Sequence, residues 1–450
     1  MRSFMPFRLL LAPLLLLAAG CSTLHAPRLT AEQKELNIES FQVVWETVRD
    51  KHYDPDLNGL DWNAIRTEFR PRVVQAKRMS EVRTAMREML ARFGQTHFGI
   101  IPVSAYESID GEDDEDAEEG TDGDAPSDSD KKDKRGYAGL DVRVLAGKAI
   151  ITAVEEGYPG AAQGIKPGWE LLSLNGRKTA RTITKVSEVY ADSTMLDLRL
   201  ARSTSRKLRG DVGNEVQLRL LDGDGQTVET DLVLVSEPGE RTHLMGLPEM
   251  VVRIRYEMLE GNIGYIAFNG FWDPDYLMGE FGKAMNSFMD ADGVIIDIRG
   301  NGGGIGALSM GMAGWLIGEK KMQLGTLYLR NQELNFAVFP RALTYDGPVA
   351  VLTDGLSAST SEIFAGGLQD LDRAKIFGTP TAGAALPSII DRLPNGDGFQ
   401  YVFADYVSKG GKRLEAVGVI PDVQIELTRE SLLAGQDLVV QAAIAWIQTQ

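Results

Sequence analysis

The stretch Val349-Ala-Val-Leu-Thr-Asp-Gly-Leu-Ser357-Ala-Ser359-Thr-Ser361-Glu362-Ile-Phe-Ala-Gly-Gly-Leu368 decides the fold of this 450-residue chain. Val349–Thr353 reads as a buried strand, a glycine turn follows, and Ser361–Leu371 reads as a helix. A strand feeding a helix through a tight turn is the repeating unit of a largely parallel sheet. Outward from it, Gly264–Phe268 and Gly293–Ile298 read as further buried strands, with helices over Leu277–Met289 and Gly303–Ile317. A final helix is expected over Ser431–Ile447. A serine in such a turn stands at a helix N-terminus, where unpaired N–H groups and the dipole favour developing negative charge. The plain alternative makes the serines caps, with Glu362 completing the capping pattern. Capping accounts for one serine, and three are present.

Composition excludes some functions. The chain is 43% apolar and 25% charged, as globular proteins are. Its net charge of −17 argues against nucleic acid, since no basic surface is available to neutralise phosphates. Thirteen acidic and four basic residues between Asp110 and Arg135 carry about half of that charge. Residues 108–135 hold no aromatic side chain, so they cannot bury enough surface to offset their ordering entropy and read as a disordered acidic insertion. A calcium- or partner-binding role is the sharper alternative, but the Gly and Glu register of a calcium loop is missing.

The N-terminus reads as an export signal: Arg2 and Arg8, then an apolar run from Leu9 to Ala19 too short to span a bilayer. It ends in Leu17-Ala-Ala-Gly-Cys21 and resembles a lipobox, which implies cleavage after residue 20 and lipid on Cys21. Ser22 resembles the outer-membrane sorting pattern, so a lipid-anchored envelope protein facing the periplasm is expected. The alternative is a simple secretory signal with an incidental Cys. Cys21 is the sole cysteine, so the mature chain has no disulfide.

Residues 30–95 read as helical: Ile38, Phe41, Val44, Trp45 and Val48 recur at helical spacing, as do Val82, Met86, Met89, Leu90 and Phe93 before Gly94. Between 136 and 240, short β-type runs alternate with glycine turns: Leu140–Val144, Ala149–Val154, Glu170–Leu174, Val216–Leu221 and Thr230–Val235. Gly164-Ile-Lys-Pro-Gly-Trp-Glu-Leu-Leu-Ser-Leu-Asn-Gly176 resembles the G-I-x-P-G-D-x-L-x-x-I-N-G stretch of PDZ domains, with Trp169 where Asp is commonest. The resemblance implies capture of a peptide C-terminus by strand addition, its carboxylate held at Tyr137, Ala138, Gly139 and Leu140.

Ser357-Ala-Ser-Thr-Ser-Glu362, Leu368-Gln-Asp-Leu-Asp-Arg-Ala374 and Gly378-Thr-Pro-Thr-Ala-Gly383 resemble the S-A-S-A-S-E, L-Q-D-x-x-R-A and G-x-x-T-x-G run of C-terminal processing (tail-specific) serine proteases. That resemblance puts the nucleophile on Ser359. Ile296-Asp-Ile-Arg-Gly-Asn-Gly-Gly-Gly304 resembles the family's L-D-L-R-x-N-x-G-G, implying an oxyanion hole from the N–H groups of Gly303 and Thr360. A serine needs a base. The family's usual Lys falls on Ala384, so the Ser–Lys mechanism is not available in its usual form. Of four histidines, His25 lies in the tether, His52 beside Tyr53 in a helical segment and His243 in a linker. His97 ends the helical part just before the PDZ-like insertion and follows Thr96, as the catalytic His of the tricorn branch follows a Ser. A histidine without a role is the alternative. Leu414-Glu415-Ala-Val-Gly-Val-Ile-Pro-Asp422 resembles the branch's E-x-x-G-V-x-P-D and makes Glu415 the group that orients His97 through Thr96; otherwise it is a surface loop carboxylate. Thr360 stands where that branch carries an Asp reading basic side chains, so this preference is not carried over.

The expectation is a multidomain α/β chain with a Clp protease/crotonase-like spiral core: signal 1–20, tether and helical domain 21–107, acidic insertion 108–135, PDZ domain 136–240 and protease core 241–450. The resemblance implies a peptidase acting on exported polypeptides without metal or organic cofactor, its oligomeric state open. The alternatives are a catalytically idle PDZ lipoprotein scaffold that binds peptide C-termini, and a hydrolase of non-peptide esters or amides.

Overall fold

The computed structural model describes residues 28–103, 135–242, 247 and 249–450. Cys21, His25, His243 and all of the acidic insertion except Arg135 lie outside the described residues.

Three helices come first: α1 (Ala31–Lys51), α2 (Trp62–Gln75) and α3 (Met79–Ala91). A capping box starts α1, in which the Thr30 hydroxyl accepts the Gln33 N–H and the Gln33 side chain accepts the Thr30 N–H. Asp61 caps α2 by accepting the Ala64 N–H. Phe41, Val44, Phe69, Val73, Val82 and Met86 close a core of their own, which also takes Leu393, Phe399 and Tyr401 from far down the chain. The reason is strand β1 (Gly99–Ile101), which runs antiparallel to a late strand so that Gly99 faces Gln400. That pairing fixes the chain two residues after His97.

The middle of the chain carries β2 (Arg135–Tyr137), β3 (Leu140–Leu145), β4 (Lys148–Val154), α4 (Pro159–Ala162), β5 (Glu170–Leu174), β6 (Arg177–Lys178), α5 (Thr179–Tyr190), α6 (Leu196–Ser205), β7 (Arg209–Asp211), β8 (Glu215–Leu221), β9 (Thr227–Val233) and β10 (Val235–Ser236). Strands β3-β4-β5-β8-β9 form one antiparallel sheet, with β6 on β5, and β10-β2-β7 form another. Val142, Ile151, Leu171, Leu218 and Leu232 share its core.

The remainder carries β11 (Glu240–Thr242), β12 (Met250–Val252), β13 (Ile254–Leu259), β14 (Ile263–Phe268), α7 (Pro274–Ser287), β15 (Gly293–Asp297), α8 (Gly306–Ala313), β16 (Gln323–Leu329), β17 (Glu333–Ala337), β18 (Val349–Thr353), α9 (Thr360–Asp370), β19 (Lys375–Gly378), β20 (Ser388–Arg392), β21 (Gly398–Val402), β22 (Ala404–Ser408), β23 (Val423–Gln424), α10 (Arg429–Leu433) and α11 (Leu438–Ile447). The main sheet has the order β13-β14-β15-β18-β19-β23, antiparallel at β13 and parallel beyond it. Strands β15 and β18 are buried on both faces. Their side chains alternate as a strand requires. Val294, Ile296 and Val351 pack with Phe281 of α7, Leu308 of α8 and Phe364 of α9, whereas Ile295, Ala350 and Leu352 pack with Val439, Ala443 and Ile447 of α11.

The mixed α/β multidomain architecture stands, but the spiral core does not. The main sheet is open, with β13 at one edge and β23 at the other, and the described residues contain no closed or curled sheet. Strand β13 folds back antiparallel and ends one edge; β23, two residues long, ends the other. Strands that could have continued a winding pair elsewhere: β17-β16-β22 form a separate sheet and β20 and β21 join β1. The last expected helix is also two, because Gly435 adopts a left-handed φ of 69° and Asp437 caps α11 anew.

Candidate active site

Ser359 is the N-cap of α9, reached from β18 through Asp354–Ala358. Its φ is 56°, the left-handed region. A non-glycine residue held there is disfavoured and needs support from its surroundings. The support is visible: the Ser359 N–H donates to Ala384 O at 2.8 Å and to Glu362 Oε2 at 2.9 Å. The three serines have different duties. Ser357 Oγ donates to Ile298 O at 2.8 Å and Ser361 Oγ to Asn301 O at 2.9 Å, so both are buried struts. The Ser359 hydroxyl is not committed to a carbonyl in this way.

Gly303 lies against the serine, and a Cβ there would fall 2.7 Å from Ser359 Cβ and 2.9 Å from Thr360 N. Its φ of 94° and this close approach require glycine. In this state the Gly303 N–H donates to Asn301 Oδ1 at 2.9 Å. Thr360 Oγ1 donates to Gly304 O at 2.7 Å, locking the glycine turn to the start of α9.

His97 stands between Gly94 and β1, with a left-handed φ of 61°. Its Nδ1 is 2.8 Å from Thr96 Oγ1. Thr96 Oγ1 donates its one hydrogen to Glu415 Oε2 at 2.9 Å, and the Thr96 N–H donates to Glu415 Oε1 at 2.8 Å. A hydroxyl that has given its hydrogen away can only accept. Therefore Nδ1 of His97 carries the hydrogen, and Nε2 is left with a lone pair. Burial, with the nearby charge of Arg202, lowers the His97 pKa to about 4, so the ring is neutral at neutral pH. Burial raises the Glu415 carboxyl above its ordinary value, opposed by the N–H and O–H groups of Thr96 and the Ala385 N–H.

The two halves meet on one strip of backbone. Glu362 accepts from Gly383 N at 2.8 Å and Ala384 N at 2.9 Å, and Glu415 accepts from Ala385 N at 3.1 Å. Three successive N–H groups thus connect the carboxylate behind Ser359 to the carboxylate behind His97. No hydrogen bond joins the Ser359 hydroxyl to either ring nitrogen of His97. Ala384 itself is buried among Ala358, Ala382 and Met195. A cleft of about 390 Å³ opens beside Thr96 and Glu415, lined also by residues 188–195, the last turn of α5 and the link to α6.

Sequence reasoning gave Glu362 a capping part only. It is fully buried, also accepts from Thr381 Oγ1 at 2.6 Å, and burial raises its pKa to about 7 despite four donors. Asn301 was missed. Its Nδ2 donates to Phe268 O at 3.0 Å while its backbone O accepts from Ala358 N and Ser361 Oγ, so it ties β14 to the serine turn. Its place inside the glycine run was the available signal. Arg143 of β3 was missed too: its Nε donates to Asp354 Oδ2 at 3.0 Å, and Asp354 Oδ1 accepts from Gly300 N at 2.8 Å.

Tyr137, Ala138, Gly139 and Leu140 are all buried. The Ala138 N–H already donates to Leu208 O at 3.0 Å, so it is not available to a carboxylate in this state. These four residues belong to the middle of the chain and are not part of the Ser359 cluster; Arg143, three residues on, makes the connection.

Residues 262–425 match peptidase family S41, and residues 37–91 match the tricorn protease C1 domain. The chain is thus similar to the S41 carboxyl-terminal-processing peptidases in its C-terminal part and to the tricorn C1 domain near its start. It is 25% identical to the carboxyl-terminal-processing protease of Synechocystis sp. over 445 residues, 97% of this chain and 91% of that protein. It is also 25% identical to the chloroplastic carboxyl-terminal-processing peptidase 3 of Arabidopsis thaliana over 391 residues, 84% of this chain and 67% of that protein. Among solved structures, mature CPAF matches with a TM-score of 0.59 at 12% identity, over 93% of this chain and 96% of that one. The photosystem II D1 C-terminal processing protease matches at 0.54 and 18% identity, over 90% and 97%. At these identities the likeness concerns the fold.

Proposed function

We propose that the protein is a serine peptidase that acts on exported polypeptides, with Ser359 as nucleophile and His97 as base. The observation that carries this reading is the relay His97–Thr96–Glu415, built from residues 319 positions apart and fixing the tautomer a base needs. Ser359 Oγ attacks the peptide carbonyl, its proton passes to His97 Nε2, and His97 returns that proton to the leaving amine. The Thr360 N–H and the Gly303 N–H, once shared away from Asn301, stabilise the oxyanion. Water then repeats the sequence on the acyl-enzyme and frees Ser359. Relatives named for carboxyl-terminal processing support action on C-termini.

The reading keeps a PDZ domain over 136–240, with residues 137–140 as its peptide-binding loop; the antiparallel sheets of that region support it. It keeps lipid attachment at Cys21 and a cell-envelope location, for which the N-terminal sequence is the support. No described helix is long and apolar enough to cross a membrane.

Fluorophosphonate labelling tests the catalytic reading. Labelling is expected in the wild-type protein and lost in Ser359→Ala and His97→Ala; labelling that persists in both variants would falsify it. A second reading, an idle site on a peptide-binding scaffold, draws on the missing hydrogen bond between Ser359 and His97. Peptide capture with no labelling and no turnover is the result that selects it.

A further inference from the structure

The turn that carries His97 contains two left-handed residues, Gly94 at φ 62° and His97 at φ 61°. Glycine tolerates that conformation and histidine does not favour it, so the turn needs holding from outside. Thr96 is gripped by Glu415 from one side. The other side is held through Gln95. Its side-chain amide places Oε1 at 3.0 Å from His52 Nε2 and donates from Nε2 to Tyr53 Oη at 2.9 Å. An amide oxygen only accepts, so His52 Nε2 bears the hydrogen of that bond.

His52 and Tyr53 make a firm post. His52 is fully buried and terminates α1, its own N–H bonded to Val48 O. Its ring packs at 5.0 Å from Phe93 and lies nearly parallel to Phe98 at 6.1 Å, contacting the chain on both sides of the turn. Its Nδ1 faces the Asp54 backbone at 3.1–3.2 Å. Burial pushes the Tyr53 phenol up to about 12, so it stays protonated at any working pH. Arg330, from the turn between β16 and β17, donates to Arg49 O at 2.8 Å and joins the end of α1 to the C-terminal part of the chain.

We propose that Gln95, clamped by His52 and Tyr53, is a positioning residue for His97. The inference rests on the reading of His97 as base. Two hydrogen bonds to one side chain fix the rotation of the 94–97 turn, and the imidazole follows because Thr96 is fixed independently. Without the clamp the Nε2 lone pair loses its fixed direction, while the groups that bind substrate are untouched.

The experiment measures the inactivation rate and the apparent affinity of a fluorophosphonate on the full chain. For Gln95→Leu the maximal rate is expected to fall by about tenfold or more, because misaiming a base costs orientation, with affinity unchanged. Gln95→Glu, whose carboxylate accepts from both His52 Nε2–H and the Tyr53 O–H, is expected to restore the rate to within about threefold. A wild-type rate in Gln95→Leu overturns the inference, as does a failure of both variants to differ. Should Gln95→Leu not fold, Tyr53→Phe removes one bond only and is expected to slow labelling by about two- to fivefold; an unchanged rate overturns the proposal. Labelling that survives Ser359→Ala and His97→Ala sinks the catalytic reading itself, whereas its loss there beside a wild-type rate in Gln95→Leu sinks only this one.

Discussion

Thr96 Oγ1 lies 2.9 Å from Glu415 Oε2, although 319 residues separate them in the chain. The bond consumes the only hydrogen of the hydroxyl and thereby sets the tautomer of His97. Thr96→Val removes both the acceptor for Nδ1–H and the donor to Glu415. Labelling or peptide turnover is expected to drop on the order of tenfold to a hundredfold, the range of a misoriented base. Thr96→Ser keeps the hydroxyl and is expected to stay near wild type. Equal rates in the Val and Ser variants would remove Thr96 from the relay.

The carboxyl of Glu362 and the imidazole of His97 make opposite demands on pH. Burial raises Glu362 from 4.5 to about 7 in the folded chain, so ionising it opposes folding. Its effect is absent below about 4.5 and full above about 7, costing at most about 3 kcal/mol as pH rises through that window. His97 is lowered from 6.5 to about 4, so stability is lost as pH falls from 6.5 towards 4. Thermal melts of Glu362→Gln across pH 4.5–7 are expected to lose the alkaline decline relative to wild type. Parallel melting curves for the two proteins would contradict the burial argument.

Ser357 and Ser361 donate into backbone carbonyls from buried sites. Replacing either by Ala removes one of the two hydrogen bonds that its carbonyl accepts and is expected to cost about 1 kcal/mol, read as a shift in denaturation midpoint. Ser359→Ala is expected to abolish labelling with a denaturation midpoint close to wild type. Labelling that tracks Ser357 or Ser361 instead would reassign the nucleophile.

Ala384→Lys tests whether the missing lysine can simply be put back. Ala384 is buried against Ala358, Ala382 and Met195. A lysine there must bury its charge or push those neighbours apart, with an expected loss of about 1–3 kcal/mol and no gain in turnover. A variant that is equally stable and faster would mean that the Ser–Lys geometry is latent in the fold.

Much of the main sheet was legible because burial on both faces leaves unbroken apolar runs. Val349–Thr353 is a strand at the expected limits, and Gly293–Asp297 differs from expectation by one residue. Strands β16, β17 and β20–β22 were not legible: β17 and β20 are largely exposed, β21 and β22 are buried but interrupt their apolar residues with polar ones, and the pairings β16–β22 and β1–β21 join segments far apart in sequence. For the same reason the arrangement of the sheet was misjudged. Apolar runs reveal which segments are strands; hydrogen-bond pairing alone decides whether a sheet closes, and here both edges stay open.

Residue type and local spacing were enough for the turn at Ser359, whereas the lysine lost at Ala384 and the candidacy of His97 and Glu415 rested on the family resemblance. Which N–H groups are spoken for became visible in three dimensions: Gly303 to Asn301, Ala138 to Leu208 and the Gly383–Ala385 run to two carboxylates. The tertiary structure also turned Glu362 from a helix cap into the link behind Ser359 and gave His52 and Gln95 a place beside the turn of His97. A hydrogen bond has a direction and a single donor, so its partner is set by where distant segments come to rest.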